Sequence, residues 1–261
     1  MMLKIFKYSF FDLIRSRWSL IYFLFFAVTA GALLYLSSDV SRAITSLMNI
    51  IIILCPLIGT MFGVMYYYNS REFIELLLAQ PIKRQSILMG QYLGLTVSLV
   101  LSFILGLGIP FVIYGIIGSG VLSNFIVLLL AGSLLTFTFV ALAFVIAIKN
   151  ENKIKGFSIA IVVWLFMAVL YDGLFLLSLF LFEDYPLEKF SLAMSILNPI
   201  DLSRILIMLQ LDVSALLGYT GAVFNKFFGT SIGFVISLGC ALLWIAAPVF
   251  SISRLAGKKD F

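Results

Sequence analysis

The sequence predicts an all-α polytopic membrane protein with six transmembrane helices, an N-terminal amphipathic interfacial helix and a long periplasmic loop between helices five and six. Three observations carry that prediction. Apolar residues make up 63% of the chain, charged residues 11%, and the mean hydropathy is +1.18, a balance that no soluble globular domain keeps in solution. Several runs of about 20 apolar residues can each cross roughly 30 Å of hydrocarbon. The bases that interrupt those runs also divide unequally between the two sides of a six-span path. Thirteen fall on the side of the termini (Lys4, Lys7, Arg15, Arg17, Arg71, Lys83, Arg84, Lys149, Lys153, Lys155, Arg254, Lys258 and Lys259) and four on the other (Arg42, Lys189, Arg204 and Lys226). Cytoplasmic loops accumulate Lys and Arg, so both termini are expected on the cytoplasmic side.

In order along the chain, Met1 to Arg17 mixes Lys4, Lys7, Asp12, Arg15 and Arg17 with Phe6, Phe10, Phe11, Leu13 and Ile14. No small-residue cleavage site follows, so this is not a signal peptide but an amphipathic helix at the membrane surface, with a loosely ordered basic leader as the alternative. The first span is expected from Trp18 to Leu36. A polar break at Ser37, Ser38, Asp39, Ser41 and Arg42 turns the chain into the second, Ala43 to Tyr68. After a polar interval, the third runs from Ser86 to Ile109, where Pro110 and the glycines at 115, 118 and 120 mark a kink or exit. The fourth covers Val121 to Ile148, the fifth Phe157 to Phe182, and the sixth Gly229 to Ser253.

Several function classes are excluded or weakened. Cys55 and Cys240 lie inside apolar runs and the chain has no histidine, which argues against a disulfide framework or a conventional zinc site. The net charge of +5 comes from bases flanking spans, where attraction to anionic lipid suffices, and no nucleic-acid signal is present. A membrane-embedded enzyme lacks paired carboxylates, histidine and any nucleophile beside a base, so no catalytic residue is assigned. The nine methionines are dispersed and read as packing rather than a copper path. An ATP-independent secondary transporter or channel would show several intramembrane charges or broken helices in two halves, and only one such carboxylate stands out.

Four features could carry function. Between spans two and three, Tyr-Tyr-Tyr-Asn-Ser-Arg-Glu-Phe-Ile-Glu-Leu-Leu-Leu-Ala-Gln-Pro-Ile-Lys-Arg (66–84) is neither a turn nor disordered. Glu72 and Glu75 share one helical face. Phe73, Leu76 and Leu77 form an apolar face, and Gln80-Pro81 stops the helix before Lys83 and Arg84. Such a surface helix either docks into a cleft of a soluble partner or rests on lipid. Lys149, Glu151 and Lys153 in the second loop on that side either touch the same partner or form a solvated basic turn. The outer loop 183–228 is longer than a connection needs. In it, from Pro199, apolar residues recur at helical spacing while Asp201, Arg204 and Asp212 lie elsewhere, with Met208 nearby. That helix is a partner platform, a gate, or a lid on its own bundle. Asp172, inside the fifth run, is either a polar site for a cation or proton or a structurally paired carboxylate.

The run of acids, a leucine cluster, Gln-Pro-Ile-Lys-Arg and then a new span resembles the first coupling segment of ABC-2 type permeases, and the six-span layout agrees with that family along almost the whole chain. The segments 70–84 and 198–221 resemble those members that serve copper-site maturation of nitrous oxide reductase. The resemblance implies one ABC-2 type transmembrane domain over residues 1–261 and a homodimer. It also implies a separate cytoplasmic ATPase that holds ATP and Mg, and a periplasmic β-helical protein on the outer surface. The chain itself has no G-x-x-x-x-G-K-[ST] phosphate loop.

Overall fold

The computed structural model describes residues 1–37, 39–79, 82–182, 188–210 and 231–258. Among these every regular element is helical: α1 (Met2–Ile14), α2 (Arg17–Ser37), α3 (Val40–Asn69), α4 (Arg71–Leu78), α5 (Arg84–Ile113), α6 (Leu122–Lys149), α7 (Lys153–Leu181), α8 (Glu188–Leu197), α9 (Pro199–Gln210) and α10 (Ser231–Lys258). Helices α2, α3, α5, α6, α7 and α10 are long and apolar enough to cross a membrane. A bilayer supplies no partner for a bare backbone group, which is why every span is helical, so that nearly all of its backbone groups bond within the segment.

The centre of the bundle is α3 against α6. Gly59 and Gly63, one turn apart on α3, face Val140 and Ala143; a Cβ at Gly63 would lie 2.6 Å from that of Ala143. Small residues let the two backbones meet, the usual device where lipid tails are as apolar as the side chains. Around this pair, Phe26 of α2 meets Phe103 of α5 edge to face at 5.1 Å, and the Ser19 and Ser102 hydroxyls pair at 2.7 Å.

The third span outlasts its expected end. α5 runs through Pro110 to Ile113 and stops where Gly115 takes a φ of 87°. Proline lacks a donor but is tolerated within membrane helices, whereas the left-handed backbone at 115 suits glycine. Along α5, Gly94 lies against Ser9 and Gly106 against Phe23 and Phe26, while Gly108 has open space around it.

The N-terminal helix does more than rest on the surface. α1 packs along the start of α5, where Gly90 and Gly94 admit Ile5 and Ser9, both buried.

Helix α7 contains a π-helical stretch at Phe166–Leu170, and α8 and α9 meet at a 112° bend around Asn198. The Trp244 indole of α10 donates to the Ile196 carbonyl at 2.9 Å, tying this bent pair to the last span.

Candidate functional site

Helix α4 emerges from the triple tyrosine at the end of α3. Ser70 ends α3 by returning its amide and hydroxyl to the Tyr66 carbonyl at 2.9 and 2.7 Å, and the chain restarts at once as α4. Glu72 occupies the first turn, where unpaired backbone N–H groups favour a negative charge. Arg71 Nε donates to Glu75 Oε1 at 3.2 Å, one turn along. The inner face consists of buried Ile74 with Leu77 and Leu78, and the Phe73 ring stacks on Tyr8 of α1 at 4.9 Å.

This differs from the expected apolar face in one residue. Leu76 points outward, 70% exposed, beside Glu72 and Glu75, and Ile74 takes the inner position. The exposed face of α4 is therefore two carboxylates around one leucine. Gln80 and Pro81 lie outside the described residues; Lys83 is exposed just ahead of α5, and Arg84 is its first residue.

The second loop on this side is fastened to the same corner. The Tyr68 hydroxyl donates to the Asn150 carbonyl at 2.6 Å, with the Asn152 carbonyl 3.3 Å away, and Lys153 Nζ donates to Asn69 Oδ1 at 3.0 Å. Gly156 leaves room for the Tyr68 ring, whose hydroxyl occupies the space a Cβ would need. Lys149 and Glu151 remain exposed. The end of α3, the start of α4 and the start of α7 thus form one joint.

Toward the opposite end of the spans, Asp172 of the fifth span meets Asp201 and Arg204 of the outer-loop helix, with Asn198 beside them. Arg204 Nη1 donates to Asp172 Oδ2 at 2.7 Å and to Asp201 Oδ1 at 3.2 Å. Asn198 Nδ2 donates to Asp201 Oδ2 at 3.2 Å and to the Met167 carbonyl at 2.9 Å, while Asn198 Oδ1 accepts the Ile200 amide. Met167 belongs to the π stretch, whose wider winding takes carbonyls out of the ordinary ladder, so Asn198 satisfies a group that the distortion frees.

Asp201 is buried, and its burial, together with the neighbouring Asp172 carboxylate, raises its pKa against the opposing pull of Arg204. Asp172 Oδ1 is buried with no hydrogen-bond partner. Met208 is half-buried against the bundle core. Asp212 lies outside the described residues. Among the described residues no group of three His, Cys, Asp or Glu side chains could hold a metal, and Cys55 and Cys240 are both free.

The chain is similar to two proteins, each described as a probable ABC transporter permease protein NosY. That from Stutzerimonas stutzeri is 27% identical over 256 residues, covering 90% of this chain and 87% of its own. That from Pseudomonas aeruginosa is 23% identical over 261 residues, covering 94% and 91%. The likeness supports an ABC transporter permease. It is spread over nearly the whole chain, so it takes in α4, the second loop and the α8–α9 bend together. No family model matches the chain.

Proposed function

We propose that this chain is the permease subunit of an ABC transporter of the ABC-2 type. It works as a homodimer in the bacterial inner membrane with both termini cytoplasmic, and is driven by a separate NosF-like ATPase that holds the ATP and Mg. The observation that carries this reading is the outward face of α4: Glu72, Glu75 and Leu76 are exposed on a short helix whose inner face is locked to α1 by Phe73 and whose start is locked to α7 through Tyr68. A push on α4 therefore reaches α1, α3 and α7 together. Lys149, Glu151 and Lys153 form a second contact on the same partner. Such coupling acts by biasing two packings of the bundle rather than by bending it continuously.

On the other side, Asp201, Arg204 and Met208 of the bent α8–α9 pair, with Asp212 after it in the sequence, are the contact or gate for a NosD-like periplasmic β-helical protein. The output is transport of a sulfur- or copper-related species, or mechanical work on that partner, in copper-site maturation of nitrous oxide reductase. The likeness to two probable ABC transporter permease proteins supports the transporter class, and the resemblance of the 70–84 and 198–221 segments to that branch of the family supports the finer assignment.

The test is purification of the tagged chain in mild detergent, with mass spectrometry of what accompanies it and ATPase assays of wild type and the Glu72→Arg, Glu75→Arg variant. An accompanying ATPase whose association or activity the charge reversal abolishes supports the reading. A chain that purifies alone, with transport indifferent to ATP and to the reversal, returns it to the class of secondary transporters or channels.

A further inference from the structure

On the face that carries the N-terminus, α1, α3, α4 and the start of α2 enclose a cavity of about 340 Å³ that the coupling reading does not use. Its walls are aromatic pairs from four different elements. Tyr8 and Phe73 stack on one side, and Trp18 and Phe62 meet edge to face at 6.2 Å on another. Tyr66 and the carboxylate of Asp12 join them, with Leu13, Ser16, Met65, Ser70 and Asn69, the last bonded to Lys153 Nζ, in the rest of the lining; no basic residue is among the described residues that line it. Asp12 makes no ion pair among the described residues, although Arg15 stands three residues on, just past the end of α1. Aromatic faces around an unpaired carboxylate attract an organic cation.

A second, broader groove of about 630 Å³ adjoins it and shares Tyr8 and Asp12, and this one is lined by Lys4, Lys7 and Arg15. The two grooves therefore present an anionic aromatic pocket beside a cationic shelf. Trp18 is 56% exposed and Phe11 45%, so the apolar rim faces outward, and Trp18 stands at the start of the first span, the end of a span where indole rings are enriched.

We infer that this double groove binds the headgroup of a zwitterionic amino-phospholipid, its ammonium in the aromatic pocket against Asp12 and its phosphate on Lys4, Lys7 and Arg15. The charge pattern argues against a purely anionic headgroup, which would satisfy the bases but leave the carboxylate facing its phosphate. Charge alone would make α1 a general anchor for acidic lipid; the pocket makes it a selective one. A lipid seated there touches α1 and α4 at once, so its presence would stiffen the α1–α4 contact that Tyr8 and Phe73 make.

The experiment uses the full chain, delipidated in detergent and titrated by native mass spectrometry with phosphatidylethanolamine, with phosphatidylglycerol of identical acyl chains, and with water-soluble phosphoethanolamine. Wild type should retain the ethanolamine lipid in preference to the glycerol lipid. Asp12→Asn should reduce that preference about fivefold, the upper range for one exposed charge pair, and Trp18→Leu should reduce it as well. Asp39→Asn, an exposed acid at the other end of α2, should leave it unchanged. Equal retention of the two lipids by wild type, or an unaltered preference in both pocket variants, overturns the proposal. So does soluble phosphoethanolamine binding as tightly as the lipid, which would assign the site to a free amine.

Discussion

Arg204 Nη1 lies 2.7 Å from Asp172 Oδ2, bridging the half of α7 that follows its π stretch to the helix α9 that folds back against the bundle. The same guanidinium holds Asp201, so one cation serves two carboxylates, one of them 6% exposed in its side chain. Arginine suits this place because its planar fork can reach two acceptors at once and stays charged.

Removal of the cation should therefore cost more than removal of either anion. Arg204→Met leaves two carboxylates facing each other, whereas Asp172→Asn leaves Arg204 paired with Asp201. Breaking a fully buried pair costs about 3–5 kcal/mol. Since the Arg204 and Asp172 side chains are 28% and 25% exposed, about 1–3 kcal/mol is expected for Arg204→Met and less for Asp172→Asn. Thermal unfolding in detergent checks the order, and the double variant should be no less stable than Arg204→Met alone.

The Tyr68 joint gives a second prediction. Tyr68→Phe removes the donor to Asn150 and should cost about 1 kcal/mol, the net worth of a typical hydrogen bond. Gly156→Ala should cost more, because the new methyl occupies the position of the Tyr68 hydroxyl and must displace the ring. Hydrogen exchange of the amides at 149–153 should rise in both variants, while that of α9 stays unchanged.

A third prediction concerns the seat of α1. A Cβ at Gly94 would lie 2.6 Å from Ser9 Cβ and 3.1 Å from the Phe10 amide nitrogen, so the obstacle is partly backbone and cannot swing away. Gly94→Val should lift α1 from α5. Ser9, fully buried in the native fold, reports it: in a background without Cys55 and Cys240, Ser9→Cys should resist a water-soluble maleimide and become reactive when Gly94→Val is added.

Most of the bundle was legible because bilayer thickness sets the length of every apolar run, so six spans could be placed to within a few residues. The ends were blurred by caps that composition does not reveal. α7 starts at Lys153 rather than Phe157 because Asn152 accepts the amides of Ile154 and Lys155. The face of α4 is only partly legible in the sequence, since three consecutive leucines give no sign of which is inside until Tyr8 takes Phe73 and fixes the rotation. Asp172 and Arg204 lie 32 residues apart across a sharp bend, and no periodicity encodes a bend. One signal was present: Asn198-Pro199 opening a helix in which Asp201 and Arg204 stand one turn apart marks a capped, charge-bearing turn in an otherwise apolar stretch. Gly90 and Gly94 were likewise a visible small-residue pair, but only the fold shows that their partner is α1.

Asn198 supplies the last prediction. Its amide nitrogen serves the Met167 carbonyl and Asp201, and its oxygen caps the first turn of α9, so one side chain fastens three groups at the 112° bend. Asn198→Leu keeps the branched shape, though in a bulkier side chain, and removes all three contacts, leaving a π-stretch carbonyl and a buried carboxylate short of a donor and the Ile200 amide short of an acceptor. Each such loss costs about 1–3 kcal/mol when the group stays dry. Part of that should be avoided by rewinding residues 166–170 toward an ordinary α-helix, because the π register then no longer has Asn198 to take its displaced carbonyl. A rewound α7 rotates Asp172 relative to Arg204, so a cysteine pair placed at positions 172 and 204 should cross-link less readily in Asn198→Leu than in the parent chain. Equal cross-linking would show that the bend holds its shape without the amide clasp.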